Sequence, residues 1–149
     1  MDSTPTTLEA QRQRMGTRDT RVIAVVDDDE SLRRSVGNFL RSAGFRVETF
    51  ASAEDFLRSA RRESTGCLVL DVRMTGMSGL DLLRHLAAGN ARVPAVVLTA
   101  HGDDEIRRRC LGAGAVAFLD KPFHAEALLD AVQTALGRHE TRDGGERHE

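Results

Sequence analysis

Four aspartates carry the chemistry that this sequence can do. Asp71 closes the apolar run CLVL at 67–70, and Asp27, Asp28 and Asp29 follow the apolar run VIAVV at 22–26. A carboxylate taken out of water is costly unless something compensates it. If Asp27, Asp28 and Asp71 converge, they repel one another and hold their protons more tightly. A divalent cation removes that conflict. The set offers oxygen alone, without His or Cys, which favours Mg²⁺ over Zn²⁺. Mg²⁺ takes one or two carboxylates, keeps several waters and accepts phosphate oxygens, so the cluster suits a phosphoryl group.

Two further residues point to the same place. Thr99 ends the apolar run AVVL at 95–98 and brings a hydroxyl, and Lys121 follows VAFLD at 116–120 and brings a positive charge. Taken singly, an Asp at a strand end is a turn former or a helix cap, and one of Asp29 and Glu30 is expected to cap the first helix. Capping does not account for acid, hydroxyl and ammonium at the ends of four separate strands. Lys121-Pro122 is a candidate cis peptide bond in a tight turn.

The elements that must position these groups alternate along the chain. Val22–Val26, Cys67–Leu70, Ala95–Leu98 and Val116–Leu119 are continuously apolar or nearly so, as strands buried on both faces of a parallel sheet are. Arg46–Phe50 alternates instead and reads as an edge strand. Between them lie helical patterns. Leu32, Val36, Phe39 and Leu40 share one helix face, and so do Leu128, Val132, Ala135 and Leu136. Ser52 and Ser78, each followed three residues on by an aspartate, open helices. Gly44 and either Gly112 or Gly114 suit helix ends. Five strand–helix repeats predict an α/β fold, an open, doubly wound parallel sheet with helices on both faces. In such sheets the site lies beyond the carboxyl ends of the strands, where the strand order reverses.

The chain has 149 residues, enough for one domain with its own core, and a formal net charge of −2. That charge excludes a strong general pull towards nucleic acid or anionic lipid. No apolar run approaches the roughly 18 residues of a membrane span. The N-terminus lacks the apolar centre of a signal peptide, so a cytoplasmic protein is expected. Cys67 and Cys110 are isolated and read as reduced structural thiols. Residues 1–20 read as a disordered arm and 138–149 as a polar tail, leaving a domain over 21–137. Arg107-Arg108-Arg109 reads as a solvated helix face.

With VVDDDESLRRS, LDVRMTGMSGLDLL, LTAHGD and GAGAVAFLDKPF in this order, the chain resembles the receiver domain of two-component response regulators, and most nearly the FixJ-like branch. The resemblance covers about residues 21–137. It implies a flavodoxin-like, five-stranded sheet of order 2-1-3-4-5. Asp71 then matches the phosphoacceptor. Asp28 matches the direct Mg²⁺ ligand, Asp27 the carboxylate acting largely through metal-bound water, and the backbone carbonyl of Arg73 a further ligand. Thr99 and Lys121 match the pair that hold the phosphoryl oxygens, and Phe118 the aromatic switch. Arg73 and His101 fall at positions that modulate the lifetime of the acyl phosphate.

The implied partners are a sensor histidine kinase or histidine phosphotransfer protein, and a downstream protein at the face of the fourth helix, fifth strand and fifth helix. Neither direct nucleic-acid binding nor a membrane partner is expected. The implied activity is self-catalysed phosphoryl transfer and autodephosphorylation on Asp71, without turnover of a small substrate. One departure stands out: Thr75 occupies the place of the usual Pro, which is expected to loosen the turn.

Other classes fit less well. A haloacid-dehalogenase-type phosphatase needs a second Asp two residues beyond the nucleophile, where this chain has Arg73. A dinucleotide-binding fold needs GxGxxG after the first strand, where this chain has DDDES. FixJ-like receivers often precede a DNA-binding domain, so the chain is expected to be a stand-alone relay or sink, or a module of such a regulator.

Overall fold

In the computed structural model of the chain, residues 21–59, 62–89, 93–99 and 104–145 are described, with side chains to 137. The expected arm at 1–20 lies outside these residues. Strand β1 spans Val22–Val26, β2 Val47–Phe50, β3 Thr65–Asp71, β4 Ala95–Thr99 and β5 Ala115–Asp120. Helix α1 spans Glu30–Ser42, α2 Ala53–Arg58, α3 Gly79–Ala88, α4 Asp104–Gly112 and α5 Ala125–Gly145. A short 3₁₀ turn, Arg62–Ser64, leads into β3.

All strand pairs are parallel, in the order β2-β1-β3-β4-β5. This is the doubly wound sheet expected above. Order reverses at β1 and β3, so the carboxyl ends of those two strands flank the cleft. The continuous apolar strands are explained by two cores, because successive residues point to opposite faces. Ala24 and Val26 face one core with Phe56, Leu82 and Leu86 of α2 and α3. Ile23 and Val25 face the other with Val36 and Leu40 of α1 and Leu128 and Val132 of α5. Each fully buried Leu, Ile, Phe or Val contributes about 1.5–3 kcal/mol. Strand β2 is half-buried throughout and sits at the edge, as its alternating pattern requires.

Helix starts follow the expected chemistry. Asp29, not Glu30, caps α1, and its carboxylate accepts from the Leu32 N–H at 3.1 Å. Ser52 caps α2, and Ser78 and Asp81 form a reciprocal capping box on α3. Gly44 and Gly114 adopt φ of 100° and 111° after α1 and α4, and Gly112 is the last residue of α4. The backbone of α5 continues past Leu136 to Gly145. Gly137, just past the last apolar position, is a usual helix stop signal, yet it falls inside the helix. No helix among the described residues is long and apolar enough to cross a membrane.

Candidate functional site

Every strand that carries a candidate residue delivers it to the same edge of the sheet. Asp71 is the last residue of β3 and Thr99 the last of β4. Asp27 and Asp28 follow β1, and Lys121 follows β5. The topology alone therefore brings together residues far apart in sequence.

Three carboxylates meet there. Asp27, Asp28 and Asp71 each offer an oxygen, and these oxygens lie within 4.8 Å of one another. Asp27 is fully buried, Asp71 is buried and Asp28 is exposed. Lys121 Nζ donates to Asp71 Oδ2 at 2.8 Å and stands 3.9 Å from Asp27 Oδ2. The Arg73 N–H donates to Asp71 Oδ1 at 3.1 Å. The Asp29 N–H donates to Asp27 Oδ1 at 2.9 Å, but Asp27 Oδ2 is buried with no hydrogen-bond partner among the described residues. Burial holds the Asp27 carboxyl above its usual range, and the Asp71 and Asp28 carboxylates add to this. The Asp29 N–H and the Lys121 ammonium oppose it.

These observations fit a hard divalent cation. The donor set is oxygen alone, the oxygens are mutually close, and one buried oxygen lacks a proton donor among the described residues. Asp27, Asp28 and Asp71 are the residues that would hold Mg²⁺.

The remaining candidates are placed less simply. Thr99 sits at the rim, but its hydroxyl donates to Asp120 Oδ1 at 3.1 Å, not to the acid cluster. Phe118 is half-buried on β5 and packs against the core beneath α2, α3 and α4. Lys121-Pro122 is cis. His101 lies outside the described residues. Thr75, at the place where the resemblance expects Pro, joins its turn to Asp28 through two hydrogen bonds.

Sequence reasoning missed several contacts. Arg107 is not merely a solvated side chain: it pairs with Asp120, and its guanidinium lies 5.3 Å from the centroid of the Phe118 ring. Arg109 of the same run does pair outward, with Glu105 one helical turn away. Glu54 of α2 accepts from the Met77 N–H at 3.0 Å and so holds the loop after β3. Arg33 donates to the Asp27 carbonyl at 2.7 Å. Asp120 was visible in the sequence beside Lys121, but nothing local marks Arg107 as its partner.

Glycine at 79 fixes how closely α3 approaches the site. A Cβ there would lie 2.5 Å from the Asp71 carbonyl oxygen and 2.7 Å from Leu70 Cδ1. The Gly79 N–H donates to the Val72 carbonyl at 2.9 Å. Helix α3 thus begins directly against the backbone of Asp71.

Comparison with known proteins gives a consistent picture. The sequence profile of the response regulator receiver domain matches residues 23–133. The chain is 45% identical over 126 residues to nodulation protein W of Bradyrhizobium diazoefficiens, covering 85% of this chain and 56% of that protein. Among solved structures, it resembles response regulator StyR with a TM-score of 0.77 and 48% identity, over 85% of this chain and 64% of that one. It also resembles FixJ-N with a TM-score of 0.74 and 38% identity, over 80% of this chain and 95% of that one. The chain spans about half the length of the curated relatives it matches, from 51% to 58%. The chain belongs to the response regulator receiver domains of two-component signalling, with FixJ among its relatives.

Proposed function

We propose that the chain accepts a phosphoryl group on Asp71 from the phosphohistidine of a sensor kinase or a histidine phosphotransfer protein, in a Mg²⁺-dependent reaction. The observation that carries this reading is the setting of Asp71: its carboxylate lies between the Lys121 ammonium and the Arg73 amide, beside Asp27 and Asp28. A carboxylate oxygen of Asp71 attacks phosphorus in line. The P–N bond breaks, its electron pair leaves with the imidazole, and an acyl phosphate remains. The transition state is loose, so the residues act by positioning and by neutralising charge. Lys121 offsets charge on the phosphoryl oxygens. Asp27, Asp28, Asp71 and the Arg73 carbonyl would hold Mg²⁺, which would supply further charge neutralisation.

The donor approaches from the side of Lys121. An apolar groove of about 540 Å³ adjoins that residue and is lined by Leu32, Phe39, Pro122 and Phe123. An amphipathic helix that presents phosphohistidine fits such a groove.

Readout follows from the new oxygens on Asp71. Thr99 turns to the phosphoryl group, Phe118 rotates inward, and the surface of α4, β5 and α5 changes for a protein partner in the cytoplasm. Arg73 and His101 set the lifetime of the acyl phosphate by hindering or orienting water. The relatives' greater length supports a second reading of the output, in which the chain acts as the receiver module of a longer FixJ-like regulator.

The test is labelling with acetyl phosphate, with and without Mg²⁺, and mapping of the modified residue by mass spectrometry. Labelling of Asp71 that a chelator abolishes is expected. Normal Mg²⁺-dependent labelling of an Asp71→Asn protein would remove the assignment.

A further inference from the structure

Thr75 is the residue beside the acid cluster to which the phosphoryl chemistry above gives no role. Its N–H donates to Asp28 Oδ2 at 3.1 Å, and its hydroxyl donates to the same oxygen at 3.3 Å. The two residues are 47 positions apart, so these bonds join the loop after β3 to the loop after β1. Asp28 is exposed, and an exposed aspartate samples several rotamers unless something holds it. Both donors fall on Oδ2. Among the described residues no other group donates to Asp28, which leaves Oδ1 for a ligand.

The loop that carries Thr75 is itself held on both sides. The Arg73 N–H is bound to Asp71, and the Met77 N–H is bound to Glu54. Gly76 turns the chain between them at φ 81°, where a Cβ would lie 2.9 Å from Glu54 Oε2. Ser78 and Asp81 then lock the start of α3. Thr75 therefore presents its two donors from a frame anchored at Asp71, α2 and α3. Proline, expected at 75 from the resemblance, can donate neither bond.

We propose that Thr75 is a positioning residue for cation binding, holding the Asp28 carboxylate beside Asp27 and Asp71 in the pose that takes up Mg²⁺. This rests on the reading of the cluster as a Mg²⁺ site. Outer partners of metal ligands orient them in this way, and their loss typically weakens binding by about 10–100-fold. The hydroxyl is the part that mutation can remove while leaving the amide in place.

The experiment is calorimetric titration of the unphosphorylated protein with MgCl₂, so that no phosphorylation step enters the readout. Thr75→Val keeps the amide and the branched shape and removes the hydroxyl; Thr75→Ser keeps the hydroxyl. Thr75→Val is expected to bind Mg²⁺ about tenfold more weakly, at the low end because the amide bond remains. Thr75→Ser is expected to stay within about twofold of the parent. Thr75 is exposed, so both variants should melt with the parent when Mg²⁺ is absent. Equal or tighter binding by Thr75→Val overturns the proposal, and so does a Thr75→Ser protein as weak as Thr75→Val. A parent chain that takes up no Mg²⁺ overturns the reading of the cluster itself, a distinct result.

Discussion

Thr99 Oγ1 donates to Asp120 Oδ1 at 3.1 Å, across a register pair of β4 and β5. Thr99 is 2% exposed, so its hydroxyl has little access to water. A threonine hydroxyl has one proton to give. The bond to Asp120 and the phosphoryl contact proposed for Thr99 therefore compete. Arg107 joins the same Oδ1 and also lies against Phe118, so both proposed switch residues connect to one ion pair.

Removing that acceptor should favour the phosphorylated arrangement. Asp120→Ala is expected to bind beryllofluoride, a stand-in for the phosphoryl group, about fivefold more tightly in Mg²⁺, from a hydrogen bond worth about 1 kcal/mol. Asp120→Asn keeps an acceptor oxygen and removes the charge, and should lie nearer the parent. Amide chemical shifts of β4 and β5 during titration report both. Unchanged affinity in Asp120→Ala would show that Asp120 does not restrain Thr99.

Asp27 should make the Mg²⁺-free protein less stable at neutral pH. Burial holds its carboxyl above the ordinary value of about 3.9. The unfolded chain then gives up this proton at lower pH than the folded one. The group therefore costs stability as pH rises through the unfolded value towards the folded one, and the cost is absent below both. Asp27→Asn is expected to raise the melting temperature at pH 7 by about 4 °C, corresponding to about 1 kcal/mol. The gap should narrow under acid. Mg²⁺ should raise the melting temperature of the parent more than that of the variant. A variant that melts below the parent at pH 7 without Mg²⁺ would contradict this account.

The sheet and the converging acids were legible because their signals are local. Val22–Val26 and Cys67–Leu70 are apolar without a break only because each strand feeds two cores. The cap at Ser78 needs only the next few residues. The contacts that tune the site are not local. Glu54 meets Met77 across 23 positions and Thr75 meets Asp28 across 47, so neither leaves a periodic trace. Arg107 lies in a run of three arginines whose composition describes a wet surface. Only the packing of α4 beside β5 separates it from its neighbours. The end of α5 was obscure for a related reason: beyond Leu136 no apolar face marks its turns.

Both cysteines should be silent in the folded protein. Cys67 and Cys110 are fully buried, and burial pushes the Cys67 thiol up to about 12, with Arg21 pulling weakly the other way. Disulfide exchange needs the thiolate and access to it. At pH 8, Ellman's reagent is expected to react with neither thiol quickly in buffer and with both at once in denaturant. Fast reaction of one thiol in buffer would place that cysteine at the surface.

Two glycine-to-alanine changes should move stability in opposite directions. At Gly79 the added Cβ meets the Asp71 carbonyl oxygen at 2.5 Å and the Cα of Val72 at 3.0 Å, and backbone cannot swing aside as a side chain can. Helix α3 must shift off the end of β3. A cost of about 1–3 kcal/mol is expected. At Gly137, inside α5, a Cβ meets nothing within 4 Å among the described residues. Alanine there should stabilise the helix by about 0.5–1 kcal/mol through lower backbone entropy in the unfolded chain. Thermal melting of the two variants separates the effects. Because Gly79 packs on Asp71, the proposed nucleophile, Gly79→Ala should also slow acetyl phosphate labelling, whereas Gly137→Ala should leave it unchanged. A Gly79→Ala protein that melts and labels like the parent would mean that α3 can withdraw from Asp71 without cost.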